Sequence, residues 1–256
     1  LDLVALGSIG RALDLDQDSL DARRALAALN YRVENMDAAR AQYSAIRDRL
    51  PNDIEANLAL AEIALVAQNT DLATSYADVA FTTAPDMPRT RGVRIALDFY
   101  AAVTANNEIA IQDALTKARE LLVTAPEIFT ARRIVIQSLM GSPKPADALP
   151  EIETALKAHP ESLELNMMKL NVLGRQKNGT AAVEQMKLMY KQFPTNREVE
   201  GWLHEWYLSE GTPAETVAFL RDLAARYADD RDQHRQIADY VATHFAKDDA
   251  LAELEK

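Results

Sequence analysis

The sequence holds no cysteine. That excludes disulfides, thiolate metal sites and a cysteine nucleophile, and it fits either a reducing or an oxidising compartment. No apolar run approaches the ~18 residues that a bilayer-spanning helix needs, so membrane insertion of this segment is not expected. Lys and Arg number 28 against 39 Asp and Glu, a formal net charge of -11, and no basic cluster stands out. Nucleic acid is held mainly by clustered Lys and Arg, so it is excluded as an expected partner, and anionic lipid is disfavoured by the same sign. With eight glycines and no long polar tract the chain does not resemble a disordered segment. The N-terminus lacks an initiating Met and a charged leader region, reading Leu1-Asp2-Leu3-Val4. This suggests an excised or processed piece of a longer bacterial protein, with any targeting signal outside it.

What the sequence does have is alanine and a period. Aromatics supply only 6% of the residues and alanine much of the 48% apolar content. Alanine loses no side-chain entropy in a helix and lets backbones approach closely, which favours stacked helices. The prolines are spaced regularly: Pro51 to Pro85, Pro126 to Pro160 and Pro160 to Pro194 are each 34 residues, and Pro85 to Pro126 is 41, seven more. Each follows a helical pattern that proline, lacking an N–H, would end. Twelve residues before each proline stands Ala39, Ala73, Ala114, Ala148 or Ala182, and sixteen before three of them stands Asn35, Asn69 or Asn178. Small residues allow a close helix crossing, and asparagine suits a turn or N-cap. Further along, Thr212-Pro213-Ala214-Glu215 reads as a capping box with proline at the first helical position.

In these positions the chain resembles the tetratricopeptide repeat (TPR) family, whose unit is a helix-turn-helix of about 34 residues. Ala27, Ala39 and Pro51, then Ala61, Ala73, Ala80 and Pro85, then Ala148, Ala155 and Pro160 carry the likeness, whereas the family's aromatics are mostly missing, Tyr43 excepted. The resemblance implies an all-α, right-handed superhelical solenoid of antiparallel helix pairs spanning 1–256. The frame gives a half repeat at 1–19, full repeats at 20–53, 54–87, 88–128, 129–162, 163–196 and 197–230, and a half repeat at 231–256. In the last full unit Ala228-Asp229-Asp230 replaces the proline as the break, and Ala250 falls at the small position of the trailing half repeat. The seven added residues lie between Asp86 and Asn107 and predict a long first helix from about Pro88 to Thr104 that stays in phase. Ser142-Pro143-Lys144-Pro145 predicts a stiff turn, and Pro150 a bend in the helix after it.

Signs of chemistry are few. His204-Glu205 begins like a zincin motif, but Leu208 stands where its second histidine belongs, so no metal site is expected. Asn178-Gly179-Thr180 matches a glycosylation acceptor and is read as an inter-helix turn. Trp202, Trp206 and Tyr207, with Phe219, form an aromatic group that reads as core, an exposed anchor being the sharper alternative. No catalytic residue, metal or cofactor is expected. The resemblance implies a non-catalytic scaffold that binds a protein or peptide of unknown identity in a concave groove. Carried over position by position, the groove holds Arg24 and Glu62, centrally Arg133, Gln137, Met167, Asn171 and Arg175, and in the sixth unit Glu205. Ala28 and Leu58 stand where a carboxylate-gripping clamp would be polar, which disfavours that subgroup. The alternative is a regulatory or substrate-presenting arm of a larger enzyme or of a cell-envelope polysaccharide-export assembly. Bacterial cytoplasm and cell envelope both remain open as locations.

Overall fold

The structure, a computed structural model, describes residues 2–16, 19–194, 196–226 and 231–246. These residues form fourteen α-helices and one 3-10 turn, with no strand among them. They fall into two compact units, Leu1–Gln176 and Lys177–Lys256. The first holds α1 (Asp2–Leu15), α2 (Leu20–Arg32), α3 (Met36–Arg49), α4 (Ile54–Val66), α5 (Thr70–Thr83), α6 (Pro88–Thr104) and α7 (Glu108–Thr124). It continues through α8 (Phe129–Gly141), the 3-10 turn Pro145–Ala148, α9 (Leu149–Ala158) and α10 (Leu163–Arg175). The second holds α11 (Gly179–Gln192), α12 (Arg197–Glu210), α13 (Pro213–Arg226) and α14 (Arg231–His244). The boundary falls between the two helices of one 34-residue period.

Local chemistry explains the helix ends. The residue after the last turn of α3, α5, α7, α9 and α11 has ψ of 79, 56, 72, 65 and 65°, and in each case the next residue is the periodic proline. A residue before proline is pushed out of the helical region, so the helix stops there. Within hairpins the asparagines act as read from the sequence. Asn35, Asn69 and Asn178 accept from the backbone N–H of Ala38, Leu72 and Ala181 at 3.4, 3.0 and 3.2 Å, and Asn107 does the same for Ala110 at 3.2 Å. Before each lies a non-glycine residue in the left-handed region: Glu34, Gln68, Asn106 and Lys177, with φ between 50 and 57°. In three of these turns the asparagine N–H returns to a carbonyl five residues back at 2.9 Å, closing the end of the preceding helix.

The core follows the alanine positions. Ala39, Ala73, Ala114 and Ala148 are buried, whereas Ala182, on α11, is only partly so. In α4, ten consecutive residues from Ala56 to Leu65 are buried, which marks a helix enclosed on all sides. It packs against α3, α5 and α6. Each fully buried Leu or Ile there contributes about 1.5–3 kcal/mol. At Gly92 of α6 a Cβ would stand 2.6 Å from Ile128 Cγ2, so only glycine permits that approach.

Three expectations are corrected. α6 is long, as the spacing predicts, but α7 is long as well: 17 residues each, against 13 in α4 and 14 in α5. The seven added residues are therefore shared at the hairpin tip, four and three, instead of lodging in the first helix. Pro150 bends nothing. It occupies the first turn of α9, where the absent N–H has no helical partner to lose, because the preceding stretch has tightened into the 3-10 turn. Of the aromatic group, Phe219 is buried and stacks on Tyr207 at 4.7 Å, Trp206 is half-buried, and Trp202 is exposed. The capping box forms: Thr212 N–H meets Glu215 Oε2 at 3.2 Å and Glu215 N–H meets Thr212 Oγ1 at 3.4 Å. The readings at Ala228-Asp229-Asp230 and Ala250 lie outside the described residues.

Candidate functional site

In the first unit the leading helices of successive pairs, α2, α4, α6 and α8, turn one face toward a cavity of about 450 Å³, which the start of α10 also lines. Ala28, Met36, Leu65, Val66, Ile128 and Phe129 supply apolar wall. The rest is a fixed polar lattice. Arg89 of α6 grips Glu62 of α4 with two bonds, Nε to Oε1 at 2.9 Å and Nη2 to Oε2 at 2.5 Å, and reaches Glu55 at 2.5 Å through Nη1. Tyr31 of α2 and Thr130 of α8 donate to the same Glu62 carboxylate at 3.1 and 3.3 Å. A buried carboxylate with this many donors is satisfied, and losing one of them is costly. Burial would weaken the charge on Arg89, but the Glu62 bonds and the charges of Glu62 and Glu55 outweigh it and hold the guanidinium above its ordinary pKa. Burial and the Glu62 charge push the Tyr31 phenol well up, and burial with the Glu55 charge takes Tyr43 to about 12.

A long-range contact bounds the cavity. Glu34, in the turn between α2 and α3, accepts from Ser162 Oγ, from Leu163 N–H at 3.0 Å and from Glu164 N–H at 3.3 Å. Its carboxylate thus caps the N-terminus of α10 from more than a hundred residues away, where free N–H groups and the helix dipole favour negative charge. Beside it Glu164 lies 2.7 Å from Arg133 Nε, close but poorly aligned, since that N–H has no well-directed acceptor. Burial raises the Glu164 carboxyl above its ordinary pKa; Arg133 opposes the shift and Glu34 adds to it.

Of the residues predicted from the sequence, Arg133 lines the cavity, buried and committed to Glu164. Gln137, one turn on, accepts from Tyr100 Oη at 2.7 Å. Met167 is half-buried and Asn171 exposed on α10, and Arg175 donates to the Met140 carbonyl at 2.5 Å. These four lie outside the cavity wall. The sequence did not point to Arg89, Tyr31 or Glu34 as cavity residues, yet a signal existed for one pair. Glu55 and Arg89 are 34 residues apart, one period, and so stand side by side on successive first helices. Glu34 carries no such signal. His204 is a partly buried ring 3.0 Å from Gln236 Nε2, and burial lowers its pKa. Among the described residues no group of three or more His, Asp or Glu is placed to hold a metal ion, and no helix is long and apolar enough to cross a membrane.

The family model for the tetratricopeptide repeat matches residues 136–197, the stretch from α8 to the start of α12. Over that stretch the chain matches the tetratricopeptide-repeat family. Among solved structures, a chain of the Cut9–Hcn1 hetero-tetramer of APC/C superposes with TM-score 0.52 at 14% identity, over 92% of this chain and 46% of that one. This chain therefore spans less than half the length of that protein, and the likeness is one of fold alone. A thermophilic TPR protein from Thermus thermophilus is 17% identical over 88% of this chain and 100% of its own, with TM-score 0.34. A TPR protein from Parabacteroides merdae is 12% identical over 92% and 97%, with TM-score 0.39. At those scores neither adds to the fold assignment. No curated protein matches the sequence.

Proposed function

We propose that the chain is a protein-binding scaffold without a chemical step of its own, and that the inner cavity of α2–α10 holds a segment of a partner protein. One observation carries the reading. The leading helices of four consecutive pairs converge on an open, partly apolar cavity whose polar side chains are already locked by one another. Such a wall is preorganised, so a guest does not have to order it. The family match over residues 136–197 supports the same reading, and the Cut9–Hcn1 structure is itself a hetero-tetramer. In this proposal Gln137, Met167, Asn171 and Arg175 extend the binding face along α8 and α10 beyond the cavity, and the repeats keep the 34-residue frame read from the sequence.

The test is affinity purification of the full-length protein from its native host, alongside two variants. Val66→Trp fills the cavity, and Asn171→Ala with Arg175→Ala strips the extension. Loss of the co-purifying partner from Val66→Trp, with circular dichroism unchanged, is the expected result. A partner set that ignores both variants overturns the reading.

A further inference from the structure

We propose that the segment received by this cavity presents a lysine or arginine flanked by apolar residues, an inference that rests on the docking reading above. The wall carries Glu34, Glu55, Glu62, Glu127, Glu161 and Glu164 against Arg32, Arg89 and Arg133. The pairing inside it leaves negative charge over. Arg89 alone serves both Glu55 and Glu62, and Arg133 serves Glu164 while Glu34 stands beside it on the α10 N-terminus. Glu127 and Glu161 are exposed and, among the described residues, paired with no cation. Each directly follows a periodic proline, Pro126 or Pro160, so the 34-residue repeat sets the two carboxylates at equivalent places on the cavity wall.

Neighbouring carboxylates add to the effect of burial at two groups of the wall, against the opposing charges of Arg89 and Arg133. The Tyr31 phenol is raised by burial and then by Glu62, and the Glu164 carboxyl by burial, with Glu34 adding to it. A cationic side chain answers that field, and a long aliphatic stem suits the wall of Leu65, Val66, Ile128 and Phe129. An acidic guest meets like charge, which gives discrimination as well as affinity.

The experiment uses the full chain with labelled Met, Leu, Val and Ile methyls, titrated with capped peptides Leu-Ala-X-Ala-Leu in which X is Arg, Lys, Gln or Glu. The Arg and Lys peptides are expected to shift the Met36, Leu65, Val66 and Ile128 methyls. They should bind roughly fivefold or more tightly than the Gln peptide, as expected for charge pairs at a partly exposed site, and the advantage should shrink in high salt. Glu127→Gln with Glu161→Gln, both exposed and safe for folding, should weaken the Arg peptide about two- to fivefold and leave the Gln peptide unchanged. Equal binding of Gln and Arg peptides, or preference for Glu, overturns the charge inference and leaves the docking reading standing. Peptides that all leave these methyls unmoved remove both. Methyl shifts that appear on raising protein concentration alone give the cavity to a second copy of the chain, and also overturn the inference.

Discussion

Between α2 and α10 the inner face is built from charges that hold one another around open space. Between α11 and α14 the interior is filled by rings, with Phe219 stacked on Tyr207 at 4.7 Å and tilted on Tyr190 at 5.4 Å, and Trp206 edge-on to Tyr207 at 5.0 Å. The same helix-pair unit serves both. The difference shows what each filling is good for. Rings occupy volume and gain by dispersion and desolvation, each on its own account. Interlocked carboxylates and guanidinium groups fix positions without occupying the space between them, and are satisfied only as a set.

The comparison breaks first at its anchors. Removing one ring by Phe219→Ala and removing the central cation by Arg89→Ala should each cost about 3–5 kcal/mol, read by urea denaturation. They should part on repair: replacing Arg89 and Glu62 together by methionine should restore most of the loss, because no buried charge is then left unpaired, whereas no neighbouring change should repair Phe219→Ala. Next in size is Glu34→Ala, expected to cost about 0.5–2 kcal/mol as a lost helix cap and to speed amide exchange at Leu163 and Glu164. Gln68→Gly should move the other way, stabilising by about 1 kcal/mol, since glycine adopts the left-handed turn without strain.

The smallest effects concern pH and have opposite signs in the two units. Burial raises Glu164, so the folded state favours its protonated form. That stability is complete below the ordinary 4.5 and is lost as pH rises through the raised folded value. Burial lowers His204, so stability from its neutral form is present above 6.5 and is lost as pH falls through the depressed value. Glu164→Gln and His204→Gln should each flatten the corresponding part of a stability–pH curve, and an NMR titration of His204 should have its midpoint below 6.5.

How far the sequence could be read depended on whether the cause was local. Helix ends set by Pro51 or Pro160, caps set by Asn35 or Asn69, and the capping box at Thr212 involve neighbours within a few residues, and all were legible. The alanine positions were legible where a partner helix lies against them, as at Ala73, and less so at Ala182. The added seven residues were detected, but their division between α6 and α7 was not, since either helix can lengthen and keep its face. For the candidate site, Glu62 and Arg133 were pointed to because they sit at repeat positions, and both line the cavity. The Glu34 contact was invisible: it depends on how several stacked pairs curve, and small rotations accumulated over four hairpins are not written at any one residue. Gln137, Met167, Asn171 and Arg175 came from the same positional reasoning, which locates a face but not how deep the wall is.

The four left-handed turn positions, Glu34, Gln68, Asn106 and Lys177, have one further consequence. Glycine would make the same bend with less strain, but a glycine tip has nothing to say. With a side chain kept there, each of these four hairpin ends carries a letter that can change without disturbing the stacked faces. Three of these letters face solvent, and the fourth, Glu34, spells a clasp onto α10. A new clasp, or a lost one, is therefore a single codon away at any of these four, which lets an array of repeated units acquire a distinct closure without rebuilding a single helix.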